Sequence, residues 1–177
     1  MASYGSVFRT RPLPRGSLQG RFTVMRQVMT ETRRALLKFA VAGAAEGGHE
    51  GICYWAGTEW QGHTRFEKVF VPEACHRAHG VFVSAAAYGA IVRQARRSGL
   101  GILAQVHSHP GADTRHSDGD DKLIIMPFDG MLSLVAPYYG KGLHTFVDFS
   151  VHQYQANAWV LCDAHSVAAQ VDGEKVA

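Results

Sequence analysis

Five residues of this chain are of the types and in the order that could do chemistry together: Glu50, His107, His109, Ser117 and Asp120. His107 and His109 close an apolar run, Leu100 to Val106, that reads as a buried strand, and Pro110 stops it. Side chains two apart on a strand share a face, so both imidazoles aim at one point at the strand's end. Paired imidazoles suit zinc, with nitrogens at ~2.0–2.1 Å. Asp120, at the start of the next helix, is placed to be a third ligand. Two histidines and a carboxylate leave a fourth tetrahedral position for water, which distinguishes a catalytic site from a closed structural one. Such chemistry also needs a general base. Glu50 is the candidate, because it lies just before the first core strand, where a parallel neighbouring strand would bring it beside the histidines. Ser117 could donate its hydroxyl to the oxyanion of a tetrahedral intermediate.

Each residue also has a plainer reading. Ser117-x-x-Asp120 ahead of Leu123, Ile124 and Ile125 is a capping box with an acid in place of Glu or Gln, a role compatible with metal binding. Taken singly, Glu50 reads as a solvated loop carboxylate and a strand-end histidine as a polar surface residue. Chemistry is favoured because all five types occur in one order.

The apolar pattern supplies the elements that must position them. Residues 1–20, rich in Gly, Ser, Pro and Arg, read as an irregular extension, and Arg21 to Val24 as a short strand. Helical spacing runs from about Gln27 to Ala45 and ends at Gly47-Gly48. Gly51 to Gly57 and Phe66 to Val71 read as strands, the second stopped by Pro72. Ser84 to Arg97 reads as a helix capped by Ser84 and followed by Gly99. A further helix is expected near Ser117 and a strand from Met131 to Ala136. Phe146 to Val151 and Ala158 to Cys162 are expected to pair as an antiparallel hairpin, and the last ~12 residues read as a loose tail. This order indicates mixed α and β structure packed in layers, with one domain over 21–165 and a tail over 166–177.

Composition narrows the classes. A chain of 177 residues with 46% hydrophobic and 19% charged residues is neither disordered nor a coiled coil. No apolar run approaches the ~20 residues that span a bilayer, and the start carries no signal-type apolar block. The expectation is a soluble, cytoplasmic protein with no membrane partner. Cys53, Cys75 and Cys162 form no CxxC pair, which argues against a disulfide framework; Cys53 reads as a small core residue. A net charge of +3, with much of the excess in the first 34 residues, is only weak evidence for a nucleic-acid partner; a solvated tail and helix face is the favoured reading, and nucleic acid is not an expected partner. Cys75, His76 and His79 lack a fourth partner and read as surface or packing residues. His116 reads as an outer-shell or surface residue, Trp55 as core and Trp60 as the wall of a groove.

The stretch resembles the JAMM (MPN+) metalloprotease signature: an upstream Glu, His-x-His, seven residues, Ser, two residues, Asp. The run Glu50 to Gly57, the Gln105-Val106 lead-in, the His116-Ser117 pair and the run Gly130 to Pro137 are similar to compact bacterial members. The resemblance implies an α/β fold of the three-layer MPN (JAB) type, a mixed β-sheet flanked by helices with a core like that of cytidine deaminases. It implies Zn2+ held by His107, His109 and Asp120, with Glu50 as acid–base and Ser117 as oxyanion donor. Glu46 is the alternative base; Asp118 and Asp121 are close but lack the family spacing. The activity implied is hydrolysis of the bond after the C-terminal glycine of a ubiquitin-like protein or a similar conjugated tail. Some such bacterial proteins belong to antiviral conjugation operons, which implies E1-like and E2-like partners; a homodimer is a common state. RadC-like DNA-repair-associated proteins share the spacing but typically carry a helix-hairpin-helix module in front, and none is seen. Non-catalytic MPN scaffolds usually lose ligands, and this chain retains all. A nucleoside deaminase would need a Pro-Cys-x-x-Cys element, which is absent.

Overall fold

A computed structural model describes residues 12–117, 119–120, 124 and 126–173. In chain order the elements are β1 (Arg15–Gly16), β2 (Arg21–Val24), α1 (Arg26–Ala42), β3 (Ile52–Trp60), β4 (His63–Phe70), β5 (Cys75–Arg77), β6 (Gly80–Phe82), α2 (Ala85–Arg97), β7 (Gly101–Ser108), β8 (Leu132–Ala136), β9 (Ser150–Gln155), β10 (Ala158–Cys162), α3 (Ala164–Gln170) and β11 (Val171–Gly173). Nine strands form one mixed sheet in the order β1-β10-β9-β8-β7-β3-β4-β2-β11, and β5 with β6 makes a separate hairpin. No helix among the described residues is long and apolar enough to cross a membrane.

Alternation along the central strands sorts side chains to two cores. Cys53 and Trp55 of β3, Val106 of β7 and Leu132 and Leu134 of β8 meet Val28, Met29 and Leu36 of α1 and Val167 of α3. Ile52, Tyr54 and Ala56 meet Ile91 and Ala95 of α2 on the opposite face. The result is the expected sheet between helical layers. Trp55 is fully buried, and its Nε1–H donates to Thr32 Oγ1 at 2.7 Å, which satisfies the one polar atom it brings into the core. Cys53 is buried beside it, as expected.

Helix α1 ends at Ala42, and a 3-10 turn at Ala44–Glu46 takes up the rest of the expected helical stretch. Ser84 caps α2 by accepting from Ala87 N–H at 3.2 Å, and Gly99, at φ 73°, follows its end. The β9–β10 hairpin turns through Ala156 and Asn157, both at positive φ. Three expectations need correction. Residues 146–148 are a 3-10 turn, because Asp148 Oδ2 accepts from Thr145 N–H at 2.6 Å and closes a capping box before β9 begins. The extension before residue 21 is not irregular throughout: β1 pairs with β10 and Leu18 is buried. The end of the chain is no loose tail up to Gly173, since α3 packs on the core and β11 pairs parallel with β2. Both flanking segments cover sheet edges that would otherwise expose unpaired backbone. Cys75, His76 and His79 lie on or beside the β5–β6 hairpin, where Cys75 and His79 are exposed and His76 packs against Phe39, as expected of surface or packing residues.

Gly57 shows how tightly the sheet is closed. A Cβ at this position would stand 1.8 Å from the Arg65 carbonyl oxygen across the β3–β4 irregularity. Backbone cannot yield as a side-chain end can. Gly57→Ala is therefore expected to cost about 3 kcal/mol, the upper end of overpacking, read from the urea midpoint.

Candidate metal centre

The site forms where the start of β3 meets the end of β7. The two strands are antiparallel, with Ile52 opposite His107. This corrects the parallel neighbour expected for Glu50. A parallel partner would set the start of one strand beside the start of the other; the antiparallel one brings the start of β3 to the histidines. Ser108 locks the junction: its amide donates to Gly51 O at 3.0 Å and its Oγ accepts from Gly51 N–H at 3.0 Å. Gly51 has no room for a side chain, because a Cβ would meet Phe39 Cδ2 of α1 at 2.7 Å. The glycine after Glu50 thus lets the helix press on the strand start.

His107 is wholly buried, and His109 lies just past the end of β7. His109 Nδ1 donates to Asp113 O at 2.7 Å, so Nε2 is the ring nitrogen that faces Asp120. His107 Nε2 stands 3.1 Å from Asp120 Oδ1 and His109 Nε2 3.6 Å from Asp120 Oδ2. Ligands at ~2.0–2.1 Å around a tetrahedral ion stand roughly 3.3 Å apart, so these separations fit one. The buried His107 nitrogens have no hydrogen-bond partner, and the 3.1 Å approach to Asp120 lacks hydrogen-bond geometry. Orphaned buried imidazole nitrogens call for a partner of another kind. The three residues form the one group of this type among the described residues. The donor set, two imidazoles and a carboxylate, fits zinc.

Charge follows from burial and neighbours. Burial pushes His107 below the ordinary imidazole range, so its ring is neutral and ready to ligate. Burial by itself would raise the Asp120 carboxyl, but the His107 and His109 rings and the Ser117 amide outweigh it and hold it well below the usual carboxylate range. Burial pushes Glu50 up to about 7; His109 opposes this and the Asp120 charge adds to it. The position of Glu50 follows from the backbone: Gly51 is paired with Ser108, which sets the preceding Glu50 level with His109. The Glu50 backbone N–H donates to Arg77 O at 2.9 Å, so the β5–β6 hairpin helps to hold it. Glu46, the alternative base, instead pairs with His49 at 3.2 Å.

Ser117 and Asp120 make the reciprocal cap that the sequence suggests. Ser117 N–H and Oγ–H donate to Asp120 Oδ2 at 2.7 and 2.8 Å, and Asp120 N–H reaches Ser117 Oγ at 3.3 Å. Gly119 and Asp120 are helical; the remainder of the helix expected here, with Asp118 and Asp121, lies outside the described residues. His116 is buried, not a surface group. It hydrogen-bonds Ser133 Oγ at 2.9 Å and stacks on His152 at 3.9 Å between ring centroids. His76 hydrogen-bonds His49 at 2.8 Å and packs edge-on against Phe39, while Cys75 is exposed. Trp60 is exposed at the end of β3.

Sequence reasoning missed Ser108, Asp113 and the Tyr138–Gly140 turn. Ser108 is the spacer of His-x-His, and strand alternation alone signals that it faces away from the imidazoles. The carbonyl of Asp113 acts through backbone and leaves no residue-type signal. Tyr138 N–H donates to Gly111 O at 3.2 Å and Tyr139 N–H to His109 O at 2.8 Å, so this turn grips both flanks of Pro110.

Known proteins resemble this chain in sequence and in fold. A protein of Sinorhizobium fredii named "Probable metalloprotease" is 31% identical over 115 residues, 63% of this chain and 70% of that protein. Two solution structures share the fold. One, from Desulfitobacterium hafniense, has a TM-score of 0.63 at 14% identity, covering 86% of this chain and 92% of the other. The second, from Salinibacter ruber, has a TM-score of 0.52 at 16% identity, covering 80% and 88%. The family described as prokaryotic homologs of the JAB domain matches residues 32–165. The chain belongs to that prokaryotic JAB family, and these relationships support a metallopeptidase-like function.

Proposed function

We propose that this protein is a zinc-dependent peptidase or isopeptidase that hydrolyses the bond after the C-terminal glycine of a ubiquitin-like protein or a similar conjugated tail. The observation that carries the reading is the position of Glu50: a buried carboxyl, raised to about 7, beside a converging His107–His109–Asp120 group. A general base works best with a pKa near the working pH. His107, His109 and Asp120 would hold the ion, which when bound supplies Lewis acidity toward the scissile carbonyl. Glu50 takes the proton of the attacking water and returns it to the leaving amine. Ser117, now turned to Asp120 Oδ2, carries the hydroxyl available to the oxyanion. No covalent enzyme intermediate is needed. The short β5–β6 hairpin beside Glu50 offers an edge along which an extended tail can add as a strand. E1-like and E2-like conjugating enzymes are the partners this reading expects.

The test uses purified, zinc-loaded protein and a ubiquitin-like protein extended past its terminal glycine by a short tag. Cleavage at that glycine is expected. Ser117→Ala is expected to lower kcat by ~10²–10³ through the lost oxyanion donor and to cost ~1 kcal/mol of stability through the lost cap, with zinc content unchanged. Stoichiometric zinc without cleavage of such fusions would overturn the substrate, and absence of bound zinc would overturn the metal.

A further inference from the structure

Three successive residues in the turn after β8 have positive φ: Tyr138 at 51°, Tyr139 at 57° and Gly140 at 77°. Glycine takes this region freely, whereas a tyrosine brings its Cβ against the following carbonyl oxygen. Such conformations persist only where the surroundings enforce them. For Tyr139 the fold supplies the reason. Its ring lies on Gly48, where a Cβ would approach Tyr139 Cε2 to 2.8 Å, and its hydroxyl donates to Ala78 O at 3.4 Å. The backbone of the turn has a reason too, in its two hydrogen bonds to Gly111 and His109.

None of this uses the Tyr138 side chain. It is 52% exposed against 7% for Tyr139. Among the described residues the only hydrogen bonds of Tyr138 run through its backbone, and its ring stacks on no other. Glycine would serve the same backbone with less strain. A large aromatic is thus kept in an unfavourable conformation on a turn whose backbone is bonded to His109 and Gly111, with no described hydrogen bond or ring contact of its side chain inside the fold. An aromatic ring offers a broad contact at small conformational cost, because only two side-chain torsions need to be fixed.

We propose that Tyr138 is a specificity-determining residue whose ring packs against an apolar side chain in the extended tail of the protein substrate, upstream of the scissile bond. This rests on the metal-centre reading of the preceding section. A terminal glycine has no side chain to recognise, so selectivity must come from residues before it.

The test compares two metal-directed probes on zinc-loaded protein: acetohydroxamate, and acetyl-Leu-Gly-Gly-hydroxamate, which adds the upstream residues. The wild type is expected to bind the longer compound more tightly. Tyr138→Gly should lose about three- to tenfold of that difference, the range of one aromatic contact. It should keep its zinc content and its acetohydroxamate affinity, with a Tm no lower than the wild type's, because glycine relieves the strain at φ 51°. Tyr138→Phe should restore the difference, which a purely structural role would not predict. Equal affinity of the wild type for both probes, or a full difference retained in Tyr138→Gly, would overturn the inference and leave the metal centre standing. Failure to take up zinc, or binding of neither probe, would overturn both.

Discussion

Glu50→Gln is expected to retain its zinc, to lose ~10²–10⁴ in kcat/KM, and to be more stable than the wild type at pH 8 once chelated free of metal. The loss of activity follows from removing the proton acceptor while leaving its shape. The gain in stability follows from burial. Burial raises the Glu50 carboxyl from 4.5 to about 7. The native state therefore holds this proton more tightly than the unfolded chain does. Between pH 4.5 and about 7 the unfolded chain binds fewer protons, so stability falls as pH rises across that window. At 1.36 kcal/mol per tenfold in affinity, the full effect is ~3 kcal/mol. The amide that replaces the carboxyl carries no charge to desolvate. The variant's Tm advantage at pH 8, several degrees for a chain of this size, should vanish below pH 4.5, where both forms are neutral. Calorimetry at the two pH values checks the sign. An advantage that is the same at both would show that the carboxylate is not penalised in the native state.

Asp120→Asn carries the second large effect. It is expected to lower zinc affinity more than ~100-fold, beyond the 10–100-fold typical of losing an outer-shell partner. The reason lies in the charge of the site. Asp120 is the single carboxylate among the converging residues, and neighbouring imidazoles and the Ser117 amide keep it ionised. A neutral amide of the same shape can still accept from Ser117 N–H, now at 2.7 Å, so the cap survives in part. Ser117→Ala makes the opposite change: it removes the cap hydroxyl and leaves every ligand. Zinc content measured on both variants separates the two roles. The acid sensitivity of the metal-free protein should change as well. The depressed carboxyl contributes stability above its unfolded value of 3.8 and loses it as pH falls below. Asp120→Asn should lack that acid loss. If it bound zinc like the wild type, the trio would not be the metal centre.

Much of the candidate site is local in sequence, and that part was legible. His107 and His109 share a side because they are two apart where the extended chain leaves β7; Ser117 and Asp120 meet because a helix starts between them. Glu50 is different. Its approach to the histidines depends on the choice of an antiparallel neighbour, and apolar runs such as Ile52 to Ala56 look the same beside either kind of partner. Glu46, four residues away and of the same type, was separated from it only by where the chain turns at Gly47 and Gly48.

The edges were the least legible part of the fold. Arg15–Gly16 and Val171–Gly173 carry no apolar alternation, yet both are strands, because the exposed backbone of β10 and β2 needs partners. The left-handed Tyr138–Tyr139 turn was equally silent, since neither residue favours positive φ and the reason lies in carbonyls of a distant loop. By itself the sequence determined which residues share a face, where helices start and which side chains are of ligand type, since those depend on spacing along the chain. Only the tertiary structure decided that Glu50 stands beside the histidines, that Gly51 must yield to Phe39 and that the sheet edges are covered, because backbone pairing and burial join segments far apart in the chain.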